Sequence, residues 1–323
     1  MSSASTADGL LGRARRWASR RVFVLCGADG LEDSREEAEE ISLLVTSWRA
    51  LGLHIEYLDW EEAEARVPLW AVVLPLLVWN YTRTPAHTSR YCRLMRALRS
   101  GGAQPQADLC GNEWIVHKKY LLALQADGLP VVPTAVLQAG TTDASEVRAS
   151  MHRLRPVAER NADDRGRCRC LVVKPAVGGG GDGVERLVDD DDAEERVMRR
   201  LEEGDLVLQP FLARVRTRGE LAFVYLNGAL LHVVRKEPAG WDGSVRGEAP
   251  SAQPVSQVGT PPAEASRTAR RALIAARRHA GATDELYFAR VDLLPAAAED
   301  EGEAEDAAFV EQVGSLDLAL TSP

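Results

Sequence analysis

The chain has 323 residues, of which 45% are hydrophobic and 27% are charged, and its formal net charge is -9 at pH 7. A chain of this length can form one large domain or several small ones with buried cores, and this composition is typical of soluble globular proteins. The negative net charge argues against a general nucleic-acid-binding protein, which would present a basic face. We therefore expect no nucleic-acid partner.

The N-terminal residues and the longest apolar run both argue against a membrane protein. Residues 1–20 are small, polar and basic and contain no apolar stretch of signal-peptide length, which predicts a flexible tail. The run 67–79 is interrupted by prolines and is too short to cross a bilayer. We expect a soluble, cytoplasmic protein without a membrane partner.

The chain contains five cysteines, which are Cys26, Cys92, Cys110, Cys168 and Cys170. None forms a C-x-x-C pair, and a zinc site would need partners that the sequence does not supply at ligand spacing. We expect reduced thiols, as is usual in the cytoplasm.

The first hundred residues alternate between strand and helix patterns. Strands are predicted at 21–26, 54–58 and 70–79, and helices at 36–51 and 88–98. This alternation predicts an α/β unit with a mostly parallel sheet. A stretch rich in Gly, Gln and Pro at 101–106 provides a boundary, so we assign an N-terminal domain to 21–110.

Closely spaced strands dominate the rest of the chain, which predicts an α+β organisation. Helices are predicted at 116–126, 144–154, 193–201 and 263–280, and strands at 131–137, 170–175, 184–188, 206–212, 221–227, 229–235, 287–293 and 309–313. Asn227-Gly228 between two apolar runs is a strong hairpin signal. We divide this part into two subdomains, 111–205 and 206–323.

A glycine-rich segment, residues 178–183, follows the strand predicted at 170–175. Its letters GGGGDG satisfy the dinucleotide-binding pattern G-x-G-x-x-G, but that pattern needs a helix directly after the glycines, and the strand-like VERLV follows here. The segment therefore predicts a hairpin whose tip offers backbone N–H groups to a polyphosphate. Lys174 on the entering strand would supply a positive charge for a phosphate oxygen. A flexible surface hairpin with a solvated lysine is the alternative for this segment taken alone.

Other short motifs occur with this hairpin in a fixed order. They are Lys118 before Tyr120-Leu121, the run 130–134, Lys174-Pro175, the run 208–212, Arg218-Gly219-Glu220, Arg290-Val291-Asp292 and Glu311. In this order they resemble ATP-grasp enzymes with a glutathione-synthetase-type ATP-binding domain, particularly the D-cycloserine-forming ligases and their uncharacterised relatives. The resemblance covers 21–318. It implies an ATP-grasp fold, in which an N-terminal parallel α/β domain precedes two α+β subdomains that clasp the nucleotide.

The resemblance implies a carboxylate–amine ligase that uses ATP and Mg²⁺, forms an acyl phosphate and releases ADP and phosphate. Its substrate would be a small amino-acid-like molecule, and its product would be a linear amide or a ring. The implied nucleotide-binding residues are Lys118, Lys174, Gly178, Gly179, Gly180, Gly181, Gly183, Gln209, Pro210, Phe211, Leu212 and Glu220. The implied metal ligands are Asp292 and Glu311, and the implied catalytic cations are Arg235, Lys236, Arg246 and Arg290.

The chain departs from the family pattern at three places. Val313 occupies the usual position of a second Mg²⁺ ligand, for which Gln312, Ser315 and Asp317 are the candidate replacements. Asn80 replaces an Asp of a Trp-Asp-Tyr element. The segment 243–247 replaces Phe-Arg-Val-Gln, with Arg246 as the retained arginine. These departures predict a different substrate or weakened activity.

Three questions stay open on the sequence. The same scaffold would suit an ATP-dependent kinase or phosphotransferase, and Val313 favours a nucleotide-binding protein without catalysis. His232, which shares the face of its predicted strand with Lys236, either packs in the fold or lines the acceptor pocket. A homodimer is compatible with the sequence.

Overall fold

The structure is a computed structural model that describes most of the chain between residues 21 and 314. The described residues are 21–27, 42, 45–50, 52–68, 70–78, 80–101, 104–105, 113–160, 170–179, 181–188, 190–236, 255–282, 286, 288–295 and 308–314. The predicted tail at 1–20, the start of the helix predicted at 36–51, Cys110, Cys168, Gly180 and Arg246 lie outside these residues.

The N-terminal part is a parallel sheet of four strands in the order β2-β1-β3-β4. The strands are β1 (Arg21–Cys26), β2 (His54–Asp59), β3 (Val72–Leu77) and β4 (Gln104–Pro105). Residues 45–50 are helical, and helix α1 (Pro85–Ser100) follows β3. Apolar side chains of β1 and β3 pack with Trp60 and with one face of α1. The predicted α/β unit is confirmed.

A second sheet of antiparallel strands follows, in the order β5-β8-β6-β7. Its strands are β5 (Ala135–Leu137), β6 (Cys170–Pro175), β7 (Glu185–Val188) and β8 (Leu206–Pro210). Helices α3 (Ala144–Arg160) and α4 (Ala193–Leu201) cover one face, where Leu171, Val173, Leu187 and Leu208 are buried. Since successive residues of a strand point to opposite faces, β6 directs Val172 and Lys174 to the other face.

The third sheet is antiparallel and has the order β11-β10-β9-β12-β13. Its strands are β9 (Glu220–Leu226), β10 (Ala229–Lys236), β11 (Val255–Gln257), β12 (Phe288–Pro295) and β13 (Ala308–Gly314). Helices α2 (Tyr120–Ala126) and α5 (Ala263–His279) contribute to the core on one face, together with Phe223, Val291 and Leu293. The other face carries Glu220, Asp292 and further charged side chains.

The helices differ from their predicted bounds at two places. The helix predicted at 116–126 is broken into a short turn of helix, Glu113–Val116, and α2, because 117–119 form a non-helical turn. Helix α3 continues beyond the predicted residue 154 to Arg160. In the part of the chain that the structure describes, no helix is both long and apolar enough to cross a membrane.

The cysteines only partly follow the sequence prediction. Cys26 and Cys92 are not disulfide-bonded. Cys170 is disulfide-bonded, with its partner outside the described residues, so the expectation of a reduced thiol is wrong there. A disulfide pairing depends on which residues the fold brings together, and the spacing of the cysteines does not reveal it.

Candidate functional site

Two buried polar side chains lie on the face of the second sheet that the helices leave uncovered. Lys174 on β6 is 6% exposed, and Gln209 on β8 is 3% exposed. Gln209 Nε2 donates to Thr134 Oγ1 at 3.0 Å, which ties β8 to the segment before β5. Because β6 pairs Val172 with both Gln209 and Arg186, all three residues share this face with Lys174.

The run after Gln209 forms the end of β8 and the start of the connection to the third sheet. Phe211 and Leu212 are buried, and the Arg186 guanidinium lies 4.7 Å from the centre of the Phe211 ring. The Phe211 N–H donates to Cys170 O, and Leu212 O accepts from the Val215 N–H. Two backbone groups of the run 209–212, which the resemblance implies to be nucleotide-binding, are therefore engaged within the chain.

The glycine-rich segment forms a tight hairpin between β6 and β7. The Asp182 N–H donates to Gly179 O, and the Val184 N–H donates to Gly181 O, both at 3.1 Å. Gly181 and Gly183 have φ angles of 81° and 67°, which favour glycine. The backbone thus provides the turn that the glycines predicted.

Two cationic side chains hold the ends of this hairpin. Lys118 Nζ donates to Gly178 O at 2.7 Å, so the lysine predicted to bind phosphate lies at the first end. Arg200 of α4 donates through Nη2 to Gly183 O at 2.6 Å and forms an ion pair with Glu185 at 3.2 Å. A phosphate group placed under the hairpin would therefore meet Lys118 directly.

A cluster of four charged side chains occupies the face of the third sheet opposite α2 and α5. Arg290 donates through Nε to Asp292 Oδ1 at 2.8 Å and through Nη2 to Asp292 Oδ2 at 2.7 Å. Lys236 Nζ lies 2.5 Å from Glu220 Oε1 and 3.6 Å from Asp292 Oδ2. Two cations thus balance two carboxylates in a site where Asp292 is only 2% exposed.

The electrostatics of this cluster keep Asp292 ionised. Burial alone would raise its pKa, but Arg290 and then Lys236 offset this effect and hold the pKa of Asp292 below its ordinary value. Burial raises the pKa of Glu220, and the charge on Asp292 raises it further. Asp292 is therefore the carboxylate best prepared to bind a cation.

Strand β13 brings the predicted second metal ligand next to Asp292. The register pairs Asp292 with Gln312 and Leu293 with Val310, so Glu311 is the additional residue between these pairs. Val313 pairs with Val291, which belongs to the buried core. Gln312, a candidate replacement for the missing ligand, thus has its backbone opposite Asp292, and the other candidates, Ser315 and Asp317, lie outside the described residues.

These residues fit a magnesium ion bound together with a polyphosphate. Mg²⁺ prefers oxygen ligands and usually takes one or two carboxylates, with the remaining positions filled by water and substrate phosphates. Within the described residues, no group of three His, Cys, Asp or Glu side chains lies close enough to hold a metal by itself. Asp292 with the register neighbours Glu311 and Gln312 supplies the oxygen-bearing residue types that such a site needs.

Comparison with known proteins identifies the fold. No family model matches the chain. The crystal structure of D-cycloserine synthetase DcsG has a TM-score of 0.70 and 22% identity, over 93% of this chain and 96% of that one. The ATP complex of D-alanine–D-alanine ligase from Bacillus anthracis has a TM-score of 0.57 and 14% identity, over 92% and 86%. The ATP-grasp ligase PsnB has a TM-score of 0.52 and 14% identity, over 93% and 91%. This chain has the ATP-grasp fold.

A sequence comparison gives the same result. The cycloserine biosynthesis protein DcsG of Streptomyces lavendulae is 27% identical over 197 residues, which span 60% of this chain and 60% of that protein. The match therefore covers less than two thirds of this relative. The predicted resemblance to ATP-grasp enzymes of the cycloserine-forming branch is confirmed.

Two of the predicted catalytic cations either point away from the charged cluster or lie outside the described residues. Arg235 pairs in register with Leu221, so it lies on the opposite face of β10 from Lys236 and donates to Arg218 O at 2.5 Å. Arg246 lies outside the described residues. Lys236 and Arg290 are the predicted cations that the structure brings together.

His232 lies on the same face as the charged cluster. It pairs in register with Val224, which pairs with Arg290 on the next strand. Burial lowers the pKa of His232, which favours the neutral ring. The register thus places His232 two strands away from Arg290, and packing and a place in the acceptor pocket both stay open for it.

Another departure from the family pattern, Asn80, begins a short 3-10 helix, Asn80–Thr82, after β3. Its Oδ1 accepts from Trp60 Nε1 at 2.7 Å, and its side chain lies 2.8 Å from where a Cβ on Gly27 would be. Gly27 and Asn80 follow β1 and β3, at the ends where parallel α/β sheets commonly bind ligands. An amide at position 80 therefore satisfies the buried Trp60 and leaves no room for a side chain at position 27.

Sequence reasoning missed several residues around the ATP-grasp site. They are His117, Arg186, Arg200 and Asp205, which contact or adjoin the hairpin and its supporting strands. The alternation in residues 184–188 places Arg186 and Val184 on one face, but only the strand pairing shows that this face also carries Gln209 and Lys174. No motif marks His117 or Asp205.

Proposed function

We propose that the protein is an ATP-dependent ligase that joins a carboxylate to an amine and releases ADP and phosphate. The observation that carries this proposal is the buried cluster of Arg290, Asp292, Lys236 and Glu220, set in an ATP-grasp fold. Phosphoryl transfer is catalysed mainly by positioning and by neutralising negative charge, and this cluster supplies both cations and an ionised carboxylate.

The names of similar proteins support the reaction class and the cofactors. They include a D-cycloserine synthetase, a D-alanine–D-alanine ligase complexed with ATP, and a ligase complexed with Mg and ADP. We infer that this chain uses ATP with Mg²⁺ and acts on a small amino-acid-like substrate. The reaction would take place in the cytoplasm, and the assembly is proposed to be a homodimer.

The nucleotide would lie against the face of the second sheet that carries Lys174 and Gln209, opposite α3 and α4. Lys118 and Lys174 would bind phosphate oxygens, the hairpin 178–183 would cover them, and 209–212 would contact adenine. Asp292, Glu311 and Gln312 would hold Mg²⁺, which supplies positive charge to the phosphates.

The chemistry would proceed in two balanced steps. A substrate carboxylate oxygen first bonds to the γ-phosphorus as the bond to the β–γ bridging oxygen breaks, giving an acyl phosphate and ADP. The amine nitrogen then bonds to the acyl carbon, a proton leaves the nitrogen, and phosphate departs as the C–O bond breaks. Arg290 and Lys236 would stabilise the negative charge that develops in both steps.

An assay of ADP release across pairs of amino acids and amines tests the proposal. We expect ADP release to require a carboxylate substrate, a hydroxamate to form when hydroxylamine replaces the amine, and a product mass equal to the two substrates minus water. A product that gains one phosphate would instead identify a kinase. Nucleotide binding without ADP release across the panel would identify a non-catalytic protein.

A further inference from the structure

The turn that carries Lys118, residues 117–119, is fixed by the imidazole of His117. His117 Nε2 lies 3.0 Å from Asp205 Oδ2, and His117 Nδ1 lies 3.0 Å from the Lys119 backbone nitrogen. A backbone N–H only donates, so Nδ1 is the acceptor and the proton of the neutral ring is on Nε2. The ring therefore donates to Asp205 and closes the turn at the same time.

Asp205 connects this turn to the second sheet through three acceptor oxygens. Its Oδ1 accepts from the Ala139 N–H at 2.9 Å, Oδ2 accepts from His117, and its backbone O accepts from the Ala176 N–H at 2.8 Å. Ala176 O accepts in turn from the Lys118 N–H at 2.7 Å. A closed path of hydrogen bonds thus joins the carboxylate of Asp205 to the backbone of Lys118.

This path crosses between the cores of two sheets. The turn leads directly into α2, whose residues Tyr120, Leu121 and Leu124 are buried in the core of the third sheet. Asp205 and Ala176, by contrast, lie at the ends of β8 and β6 in the second sheet. Without this path, the backbone of Lys118 would be held mainly through α2, which packs on the third sheet. The hairpin that Lys118 Nζ contacts belongs to the second sheet.

We propose that His117 and Asp205 are positioning residues that hold Lys118 against the glycine-rich hairpin, so that its ammonium group meets the phosphates of the nucleotide. The proposal rests on the proposed function, in which Lys118 binds ATP. A lysine has a flexible side chain, and fixing its backbone lowers the entropy that nucleotide binding must remove.

Because the His117–Asp205 pair is partly exposed, a positioning role and a purely structural role predict different measurements. The side chains of His117 and Asp205 are 18% and 33% exposed, and such partly exposed pairs add little to the free energy of unfolding. A structural pair would change the melting temperature without changing nucleotide affinity. A positioning pair changes the affinity and leaves the melting temperature nearly unchanged.

Replacing His117 by residues that keep one of its two bonds tests the proposal. His117→Gln keeps a donor that can reach Asp205, whereas His117→Asn keeps an acceptor for the Lys119 N–H but is too short for Asp205. We expect His117→Asn and His117→Ala to raise the Kd for ADP and the KM for ATP about tenfold, with kcat little changed. His117→Gln should restore most of the affinity.

A second His–Asp pair next to α2 provides the matched control. His279 Nε2 lies 2.8 Å from Asp127 Oδ2 at the other end of α2, away from the hairpin. Asp127→Ala removes this pair but keeps the His279 ring, which stacks on Trp114 just before the turn, so it should leave the Kd for ADP unchanged. Combining His117→Ala with Asp205→Ala should weaken binding no more than the stronger single change, because both act through one contact.

The outcomes distinguish failure of this inference from failure of the proposed function. Unchanged affinity in His117→Asn, or equal weakening in Asp127→Ala, overturns the inference while Lys118→Met still loses nucleotide affinity. If the unsubstituted protein does not bind ADP or ATP, or if Lys118→Met binds them equally well, the proposed function itself fails. Should His117→Ala not fold, the comparison of His117→Asn with His117→Gln decides.

Discussion

Among single residues, Lys174 gives the most direct test of the proposed nucleotide site. It is 6% exposed on β6, on the face of the sheet that also carries Gln209. We predict that Lys174→Met, which keeps the length of the side chain, raises the Kd for ADP about a hundredfold or more, equivalent to about 2.7 kcal/mol. Isothermal titration would measure this change, and circular dichroism would verify the fold.

The neighbouring surface lysine supplies the control for this prediction. Lys119 is exposed, so Lys119→Met should leave the Kd for ADP unchanged. Equal affinities of Lys174→Met and the unsubstituted protein would remove Lys174 from the nucleotide site.

Asp292 gives a prediction about pH and stability in the metal-free and nucleotide-free protein. Asp292→Asn leaves Arg290 and Lys236 with one carboxylate fewer, and breaking a buried pair typically costs about 3–5 kcal/mol. Because the folded pKa of Asp292 is lowered, its ionised form stabilises the fold above the unfolded pKa of about 3.9. This stabilisation is lost as the pH falls through the lower, folded pKa.

The difference in unfolding free energy between the two proteins should therefore be largest near neutral pH and shrink below about pH 4. Urea unfolding in EDTA at several pH values would measure it. Asp190→Asn breaks a surface pair with Arg196, in which Asp190 is 46% exposed, and should change stability little at any pH. A difference that stays constant with pH would show that the charge on Asp292 is not what stabilises the site.

The residues that the sequence predicted belong to short motifs, whereas those that it missed are brought together by long-range packing. Lys174 and Asp292 lie in short motifs, and a motif is visible in a single sequence. His117 and Asp205 are 88 residues apart, and their contact depends on how two sheets pack together. Arg235 lies on the opposite face of β10 from Lys236, since adjacent residues on a strand point to opposite faces, and its catalytic role stays a prediction.

Among the elements, the glycine-rich hairpin yields a prediction with an internal control. Gly183 has a φ of 67°, and a Cβ there would lie 2.8 Å from Pro175 Cγ. A Cβ at Gly178 would lie 3.7 Å from the nearest atom, an ordinary contact. We predict that Gly183→Ala lowers the free energy of unfolding by about 1–3 kcal/mol, the usual cost of such backbone strain, and weakens ADP binding.

Gly178→Ala should leave the unfolding free energy close to that of the unsubstituted protein. Chemical denaturation of both variants provides the comparison. If the two substitutions destabilise the protein equally, the left-handed conformation of Gly183 is not required by the hairpin.

Local sequence patterns predicted the bounds of some elements correctly and those of others incorrectly. The strands at 21–26 and 170–175 and helix α4 were predicted to the residue, because their alternation or periodicity is strong. The helix predicted at 116–126 is broken, although its residues favour a helix. The Lys118 N–H donates to Ala176 O instead of to a carbonyl four residues earlier, so a long-range contact replaces the helical one.

At the scale of the whole molecule, elements that are neighbours along the chain do not always belong to the same sheet and core. Helix α2 precedes the second sheet in sequence but packs in the core of the third. Strand β8 begins at Leu206, at the proposed start of the last subdomain, but pairs with β5 and β6 of the second sheet. Domain bounds at 111–205 and 206–323 thus remain a proposal, and the pairing favours a bound after β8.

This interleaving predicts that the nucleotide stabilises the molecule as a whole, because its proposed ligands come from both cores. At an ADP concentration about a hundred times its Kd, with Mg²⁺ present, binding should add about 2.7 kcal/mol and raise the melting temperature by several degrees. EDTA should reduce this shift in the unsubstituted protein. In Asp292→Asn, EDTA should change the shift little, since the metal ligand is already impaired. Thermal unfolding followed by circular dichroism would measure the shift in the unsubstituted protein and in Asp292→Asn, each with Mg²⁺ and with EDTA. An equal effect of EDTA in both proteins would contradict a metal site at Asp292.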